Sequence, residues 1–383
     1  MEFHYSESQE ATRKLARDFS AREVAPGAAE RDRTSQFDYH LYHRIGELGI
    51  SGMRFPREFS GTESDYLSWC LALEELGRAD MSLAVTLFVA VSTGHQLVEM
   101  GTVEQLREWS GPFIRPVAEA RATASAAITE PGAGSDTASI QTTAALQDGY
   151  WVINGAKAFI TNGGLQNNVC TVVVALTDRA TGEFSSILVP AGSPGYSVMP
   201  AYQKLGWRSS DTREMVFEDC RVPAENLIGQ RGVGRRYTVE KLFAEARINI
   251  SSAALGLHTA CLEDSLSYAR ERVAFKRPLS QFQFVQGILV DMALEAELSR
   301  LLRDKAARSV DEGTVNRTLS SMAKYFCCES ARKAADRAIQ VHGGVGFMDE
   351  CTVSRYYRDI RACTIADGTT EIQKWIIARE LGC

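Results

Sequence analysis

The stretch YWVINGAKAFITN, residues 150–162, decides the architecture, because it is β-forming in a chain otherwise patterned for helices. Aromatic and β-branched residues dominate it, which suits a pleated, half-buried surface. The pair Asn154-Gly155 at its centre predicts a two-residue hairpin turn, since both central positions of such a turn need positive φ. Similar short runs follow: CTVVVAL, SSILVP, YSVMP and EMVFEDCRVP, separated by Gly, Asp, Asn and Pro. Together they predict a small antiparallel sheet or barrel.

On both sides the period changes. ESQEATRKLARDFSARE and YLSWCLALEELGRADMSLAVTLFVAVSTGHQLVEM repeat apolar residues every three to four positions, so a helical lobe is expected up to about Val117. After ENLIGQRGVG the helical period returns in VEKLFAEARINISSAALGLHTACLEDSLSYARERVAF, FVQGILVDMALEAELSRLLRDKAARSV and LSSMAKYFCCESARKAADRAIQVHG. These runs predict three or more long antiparallel helices. The expected fold class is α+β and mostly α, with domains at 1–121 (helical), 122–230 (β) and 231–383 (helical).

The bulk numbers agree. A chain of 383 residues exceeds what one core organises, about 250–300 residues. Its composition, 45% hydrophobic and 23% charged, is that of a globular protein. The formal charge of −6 and the lack of any Lys/Arg run argue against nucleic acid as a partner. The first residues hold no apolar signal region and no run of 18 uncharged apolar residues occurs, so a cytoplasmic protein without membrane association is expected. Nine cysteines contain no C-x-x-C pair, which suits reduced structural thiols. His40 and His43 are three apart but lack further ligands, so no metal is expected.

Several segments could carry chemistry. TEPGAGSDT, residues 129–137, combines two glycines with a Ser-Asp pair, which describes either a plain loop or a cradle for a cofactor ring or phosphate. It is not G-x-G-x-x-G after a strand, so a Rossmann reading fails. AFITNGG, residues 158–164, offers an aromatic, a branched apolar residue and a hydroxyl in succession, a surface for a flat heterocycle or an ordinary strand end. ARERVAFKRP gathers Arg270, Arg272, Lys276 and Arg277 near a helix end, where they meet phosphates or only water. QVHGGVGF ends a helix with Gly343, Gly344 and Gly346, and His342 reads as a helix-end residue. IADGTTEIQ holds one unusual acid, Asp367, which is either a base or a turn-former before Gly368.

In order and spacing, these segments resemble the acyl-CoA dehydrogenase family of flavoproteins over nearly the whole chain. AITEPGAGSD, WVINGAKAFITNGG, KLGWRSSDTREMVFEDCRVPAENLIG, RERVAFKRPLSQFQFVQGILVDMA, QVHGGVGF and YYRDIRACTIADGTTEIQ carry the likeness. The resemblance implies an N-terminal helical domain, a central antiparallel β-domain and a C-terminal four-helix bundle, assembled as a homotetramer or homodimer with FAD between subunits. By position, Thr129, Gly134 and Ser135 would line the flavin, with Ser135 also near the thioester arm, and Phe159 and Thr161 would lie against the isoalloxazine ring. A neighbouring subunit would bring Arg272, Phe275, Gln283, Gln340, Gly343 and Gly344 to the same FAD, and Thr369 and Glu371 would complete its contacts. Phe88, Val89, Arg247 and Gly368 would face the substrate.

One departure from the family pattern concerns the chemistry. Where most relatives place Glu after an aromatic residue, this chain has Ala366-Asp367, an acid shorter by one methylene or about 1.5 Å of reach. A minority branch takes its base from the position before the Arg that matches Arg247, and that position is Ala246 here, with Glu245 adjacent and Glu240 upstream. The bulk of Phe88 and Val89 suggests a compact acyl group, and Ala244 stands where relatives often carry an acid near the pantetheine chain. The expectation is FAD-dependent α,β-dehydrogenation of a short or functionalised acyl thioester, on CoA or acyl carrier protein, with Asp367 as catalytic base. Electrons would leave to an electron-transfer flavoprotein or to oxygen. A flavin-dependent monooxygenase of the same fold, or a flavin-binding scaffold whose acid has decayed, fits the same cofactor motifs.

Overall fold

The computed structural model describes residues 4–383, and the side chains of Arg235, Val239 and Glu240 lie outside the described residues. The chain begins with helices α1 (Glu7–Phe19), α2 (Ala28–Thr34), α3 (Tyr39–Glu47), α4 (Tyr66–Ala79), α5 (Met81–Met100), α6 (Val103–Trp109) and α7 (Arg115–Ala118). Strands β1 (Thr123–Ala127), β2 (Thr143–Gln147), β3 (Tyr150–Thr161), β4 (Asn168–Asp178), β5 (Glu183–Pro190), β6 (Tyr196–Val198), β7 (Thr212–Pro223) and β8 (Leu227–Ile228) follow. After α8 (Gly234–Tyr237) and α9 (Phe243–Glu271), a small hairpin, β9 (Val273–Ala274) and β10 (Arg277–Pro278), leads into α10 (Gln283–Asp311). The chain closes with α11 (Arg317–His342), α12 (Thr352–Cys363) and α13 (Thr370–Glu380).

Several helices start where the sequence supplies a capping side chain. Asp80 accepts from the N–H groups of Ser82 and Leu83 at the start of α5, and Asn316 and Thr369 do the same for α11 and α13. Helix α5 is long and apolar enough to span a membrane by composition, yet 78% of its apolar window is buried inside the protein. Its core continues into α4 and α9–α11, so the two helical regions share one apolar interior. Helices α4 and α9 cross backbone to backbone, since a Cβ on Gly256 would stand 1.9 Å from the Glu74 carbonyl oxygen.

The strands form a sheet in the order β6-β7-β3-β2-β4-β5-β8, with β1 beside β4. Its separate core holds Trp151, Ile153, Val173, Ile187 and Phe217, each worth roughly 1.5–3 kcal/mol when buried. Most strand pairs are antiparallel, as expected, and the sheet becomes mixed only where β1 and β2 run parallel to β4. The hairpin also turns elsewhere. β2 and β3 are joined by Asp148 (φ 49°) and Gly149 (φ 81°), whereas Asn154 and Gly155 lie inside β3. There Asn154 exchanges hydrogen bonds with Asp219, and Gly155 is required because a Cβ would sit 2.5 Å from Thr142 Oγ1. The pair marks a bulge, with the β3–β7 register slipping between Ile153 and Gly155.

Candidate active site

A cavity of about 790 Å³ opens where the sheet meets α5, α9 and the turn between α12 and α13. Its sheet wall is fixed from beneath. The Lys157 ammonium is fully buried and donates to the Ile128 carbonyl and to Glu130 Oε1, both at 2.9 Å. Glu130 in turn accepts the backbone N–H groups of Gln141 and Thr142. Burial pulls the Lys157 ammonium down to about 8, against the opposing pull of Glu130. This anchor brings Thr129, Gly134 and Ser135 to the cavity surface.

Phe159 and Thr161, at the end of β3, line the same wall. Phe159 has φ 61° and is 64% exposed, with the Tyr202 ring 5.3 Å away. A bulky residue held in the left-handed region with its ring toward solvent is costly, and such strain collects at functional sites. Trp207, also left-handed (φ 51°), reaches the cavity from the loop before β7. Its backbone N–H donates to Asp359 Oδ1 at 2.6 Å, and burial raises that carboxyl to about 7.

The opposite wall carries the acid. Asp367 (φ 54°) and Gly368 (φ 90°) form a tight turn whose carbonyl oxygens are gripped from three sides. Arg247 Nε donates to Asp367 O at 3.4 Å, Lys324 Nζ to Gly368 O at 2.7 Å, and Gln373 Nε2 to both at 3.2 and 2.8 Å. The turn backbone is thus tied down while the half-buried Asp367 carboxylate lines the cavity with no hydrogen bond or ion pair among the described residues. Burial raises its pKa, and the more distant charges of Lys324 and Arg247 only partly offset that. Burial, and next the charge of Arg317, bring Arg247 down to about 10.

Glu245 does not join the site. One position along α9 turns a side chain by about 100°, and Glu245 is ion-paired with Arg54 at 2.9 Å, while Ala246 is the residue that faces the cavity. Phe88, Val89, Arg247, Gly368 and Thr369 also line it. Glu371 instead borders a second, polar cavity of about 460 Å³ with Glu329, Arg332 and Arg361. Arg272, Phe275, Gln283, Gln340, Gly343 and Gly344 lie on the surface away from both cavities, with Phe275 91% exposed. His342 donates from Nδ1 to Ala338 O and stacks on Tyr268, as a helix-end residue. Sequence reasoning assigned no role to Lys204, Trp207, Arg317 or Arg379, which all line the main cavity. Trp207 carried a signal, since it sits in the quoted KLGWRSSD motif, whereas Arg317 had none.

A helical, sheet and helical arrangement around one cavity is the architecture of a known family of proteins. The acyl-CoA dehydrogenase N-terminal domain matches residues 6–115, the middle domain 125–220 and the C-terminal domain 229–382. The chain is 39% identical over 378 residues to the mitochondrial short-chain specific acyl-CoA dehydrogenase of Mus musculus, covering 98% of this chain and 90% of that protein. The butyryl-CoA dehydrogenase of Megasphaera elsdenii superposes with a TM-score of 0.95 at 33% identity over 100% of both chains. The prolyl acyl carrier protein oxidase AnaB does so with a TM-score of 0.94 at 27% identity, covering 99% of this chain and 100% of that one. The chain belongs to the acyl-CoA dehydrogenase family, whose members are flavoproteins.

Proposed function

We propose that this enzyme is an FAD-dependent dehydrogenase of a short or functionalised acyl thioester, with Asp367 as the base that removes the α-proton. The observation that carries this reading is the unpaired Asp367 carboxylate, held on a tied-down turn across the cavity from the strained, exposed Phe159 ring. The similarity to a short-chain specific and a butyryl-CoA dehydrogenase supports a compact acyl group, and that to AnaB supports a carrier-protein thioester as the alternative to CoA.

The residues present fit FAD. A Cβ on Gly134 would meet nothing within 4 Å, so a ring system can approach the backbone there, and the Phe159 and Tyr202 rings offer it an apolar face. When bound, the flavin supplies the acceptor for the β-hydride. The protein does the rest. Thr129, Ser135, Phe159 and Thr161 would hold the ring against the sheet, and Thr369 would reach it from the start of α13. The raised pKa brings Asp367 toward the range where a carboxylate accepts a carbon-bound proton, and the bulk of Phe88 and Val89 would limit the chain length.

The reading includes a homotetramer or homodimer. Phe284 is 94% exposed, and Val290, Leu294 and Leu298 make an exposed apolar stripe at four-residue spacing along α10. Such a stripe fits burial against a second copy, which would bring Arg272, Phe275, Gln283, Gln340, Gly343 and Gly344 to its partner's FAD. An electron-transfer flavoprotein or oxygen as acceptor, and a cytoplasmic location, belong to the same proposal. The test is anaerobic mixing of the flavin-loaded protein with butyryl-CoA and with carrier-protein thioesters. Bleaching of the flavin is expected. Bleaching only by an external reductant, followed by oxygen activation, would favour the monooxygenase instead.

A further inference from the structure

Four cationic side chains line the main cavity, Lys204, Arg247, Arg317 and Arg379, against the two carboxylates of Asp136 and Asp367. Two of the cations are engaged. Lys204 donates to Thr212 Oγ1 at 2.9 Å and to the Ser210 carbonyl, and Arg379 lies over the Trp375 ring at 4.8 Å. Asp136 is held by the Ala138 N–H at 3.1 Å. The other two are satisfied only in part, although Arg247 Nε donates to the Asp367 carbonyl at 3.4 Å and its guanidinium lies 5.9 Å from the Phe243 ring centre. Arg247 is only 2% exposed, and its Nη1 is buried without a partner. Arg317 Nε is likewise buried and unpartnered, and among the described residues neither guanidinium makes an ion pair. Holding a buried and a half-buried guanidinium at one wall with no ion pair, and only the Asp367 charge to offset the first, is expensive, and cavity walls keep such groups where a ligand pairs with them.

The position is also favourable. Arg317 is the first residue of α11, a 26-residue helix whose N-terminus attracts negative charge. Lys324, which grips the Gly368 carbonyl, is two turns further along, roughly 10 Å at the helical rise. An anion at Arg317 would therefore sit within one substrate length of the Asp367 turn. Building on the dehydrogenase reading, we infer that Arg317, backed by Arg247, forms a subsite for an oxyanion carried by the thioester substrate. The anion is either a carboxylate on the acyl group or a phosphate on the pantetheine arm.

The experiment is equilibrium titration of the flavin-loaded enzyme with pantetheine, 4′-phosphopantetheine, CoA, butyryl-pantetheine and succinyl-pantetheine, comparing wild type with Arg317→Met. Wild type is expected to bind the anionic member of a pair at least about tenfold more tightly, and Arg317→Met to lose that advantage while binding the neutral probe as before. A preference for phosphopantetheine and CoA over pantetheine assigns the phosphate, and one for succinyl- over butyryl-pantetheine assigns the carboxylate. Equal affinities across each pair in wild type, no measurable binding of any probe, or a uniform loss in Arg317→Met overturns the inference. Thermal unfolding of the variant separates misfolding from a lost contact, and Arg317→Lys is expected to recover part of the preference. Flavin bleaching is read separately: an anion preference without bleaching by any thioester would sink the dehydrogenase reading and leave the subsite standing.

Discussion

Asp367 and Glu245 are two candidate bases that differ in what surrounds them. Glu245 is locked to Arg54, whose guanidinium also lies 4.2 Å above the Tyr66 ring, and its wall of the cavity is Ala246. Asp367 has its backbone held by Arg247, Lys324 and Gln373, while its carboxylate is left without a counter-ion and its pKa is raised. A paired, buried acid contributes to the fold, whereas an unpaired one at a cavity wall is available to take a proton. The difference teaches that the neighbours of an acid, more than its presence, decide between the two roles.

The sharpest way to break this contrast is Asp367→Asn. Thioester-driven flavin reduction is expected to fall about 10²–10⁴-fold with the flavin still bound, read by stopped-flow absorbance. In wild type the same rate should climb with pH through the raised pKa of Asp367, because only the ionised carboxylate accepts a proton; a flat profile would remove it from the step. Arg54→Met should leave Glu245 as an unpaired buried charge and cost about 3 kcal/mol in denaturant unfolding, with the flavin-reduction rate of the folded enzyme unchanged. Asp367→Glu restores the length usual in the family, and with the small Ala366 beside it the rate should stay within about tenfold of wild type; a loss as deep as that of Asn would mean the pocket is fitted to the shorter acid.

Asp359 extends the contrast to an acid outside the cavity, with a single backbone donor, Trp207 N–H, and a carboxyl raised to about 7. A carboxyl whose folded pKa lies above its unfolded value stabilises the fold fully below the unfolded value, 3.8, and that contribution is lost as pH rises toward 7. Asp359→Asn keeps an acceptor for Trp207 without the titration. Its stability relative to wild type should therefore improve between pH 4 and 7 by on the order of 2 kcal/mol, measured by chemical unfolding at each pH, and a constant gap would refute the assignment.

Much of this was legible in the sequence, because it rests on local regularities. The 3.6-residue period marked the helices, the β-branched runs marked the sheet, and the Asp-Gly pair at 367–368 offered a turn, which the structure makes left-handed, as one of two readings of Asp367. The same local rule misplaced the hairpin. Asn154-Gly155 and Asp148-Gly149 are equivalent as turn formers, and only the pairing of β3 with β7 and the approach of Thr142 to Gly155 select between them. The parallel contacts of β1 and β2 with β4 are likewise long-range and leave no trace in period or spacing.

By itself, then, the sequence determined the order of helical and sheet regions and the acids available as bases, since both follow from residue type and spacing along the chain. Tertiary structure alone decided which acid is spent on an ion pair and which is left facing the cavity. It also set Arg317 beside Arg247, across 70 residues of chain, since their mutual repulsion depends on distance in space.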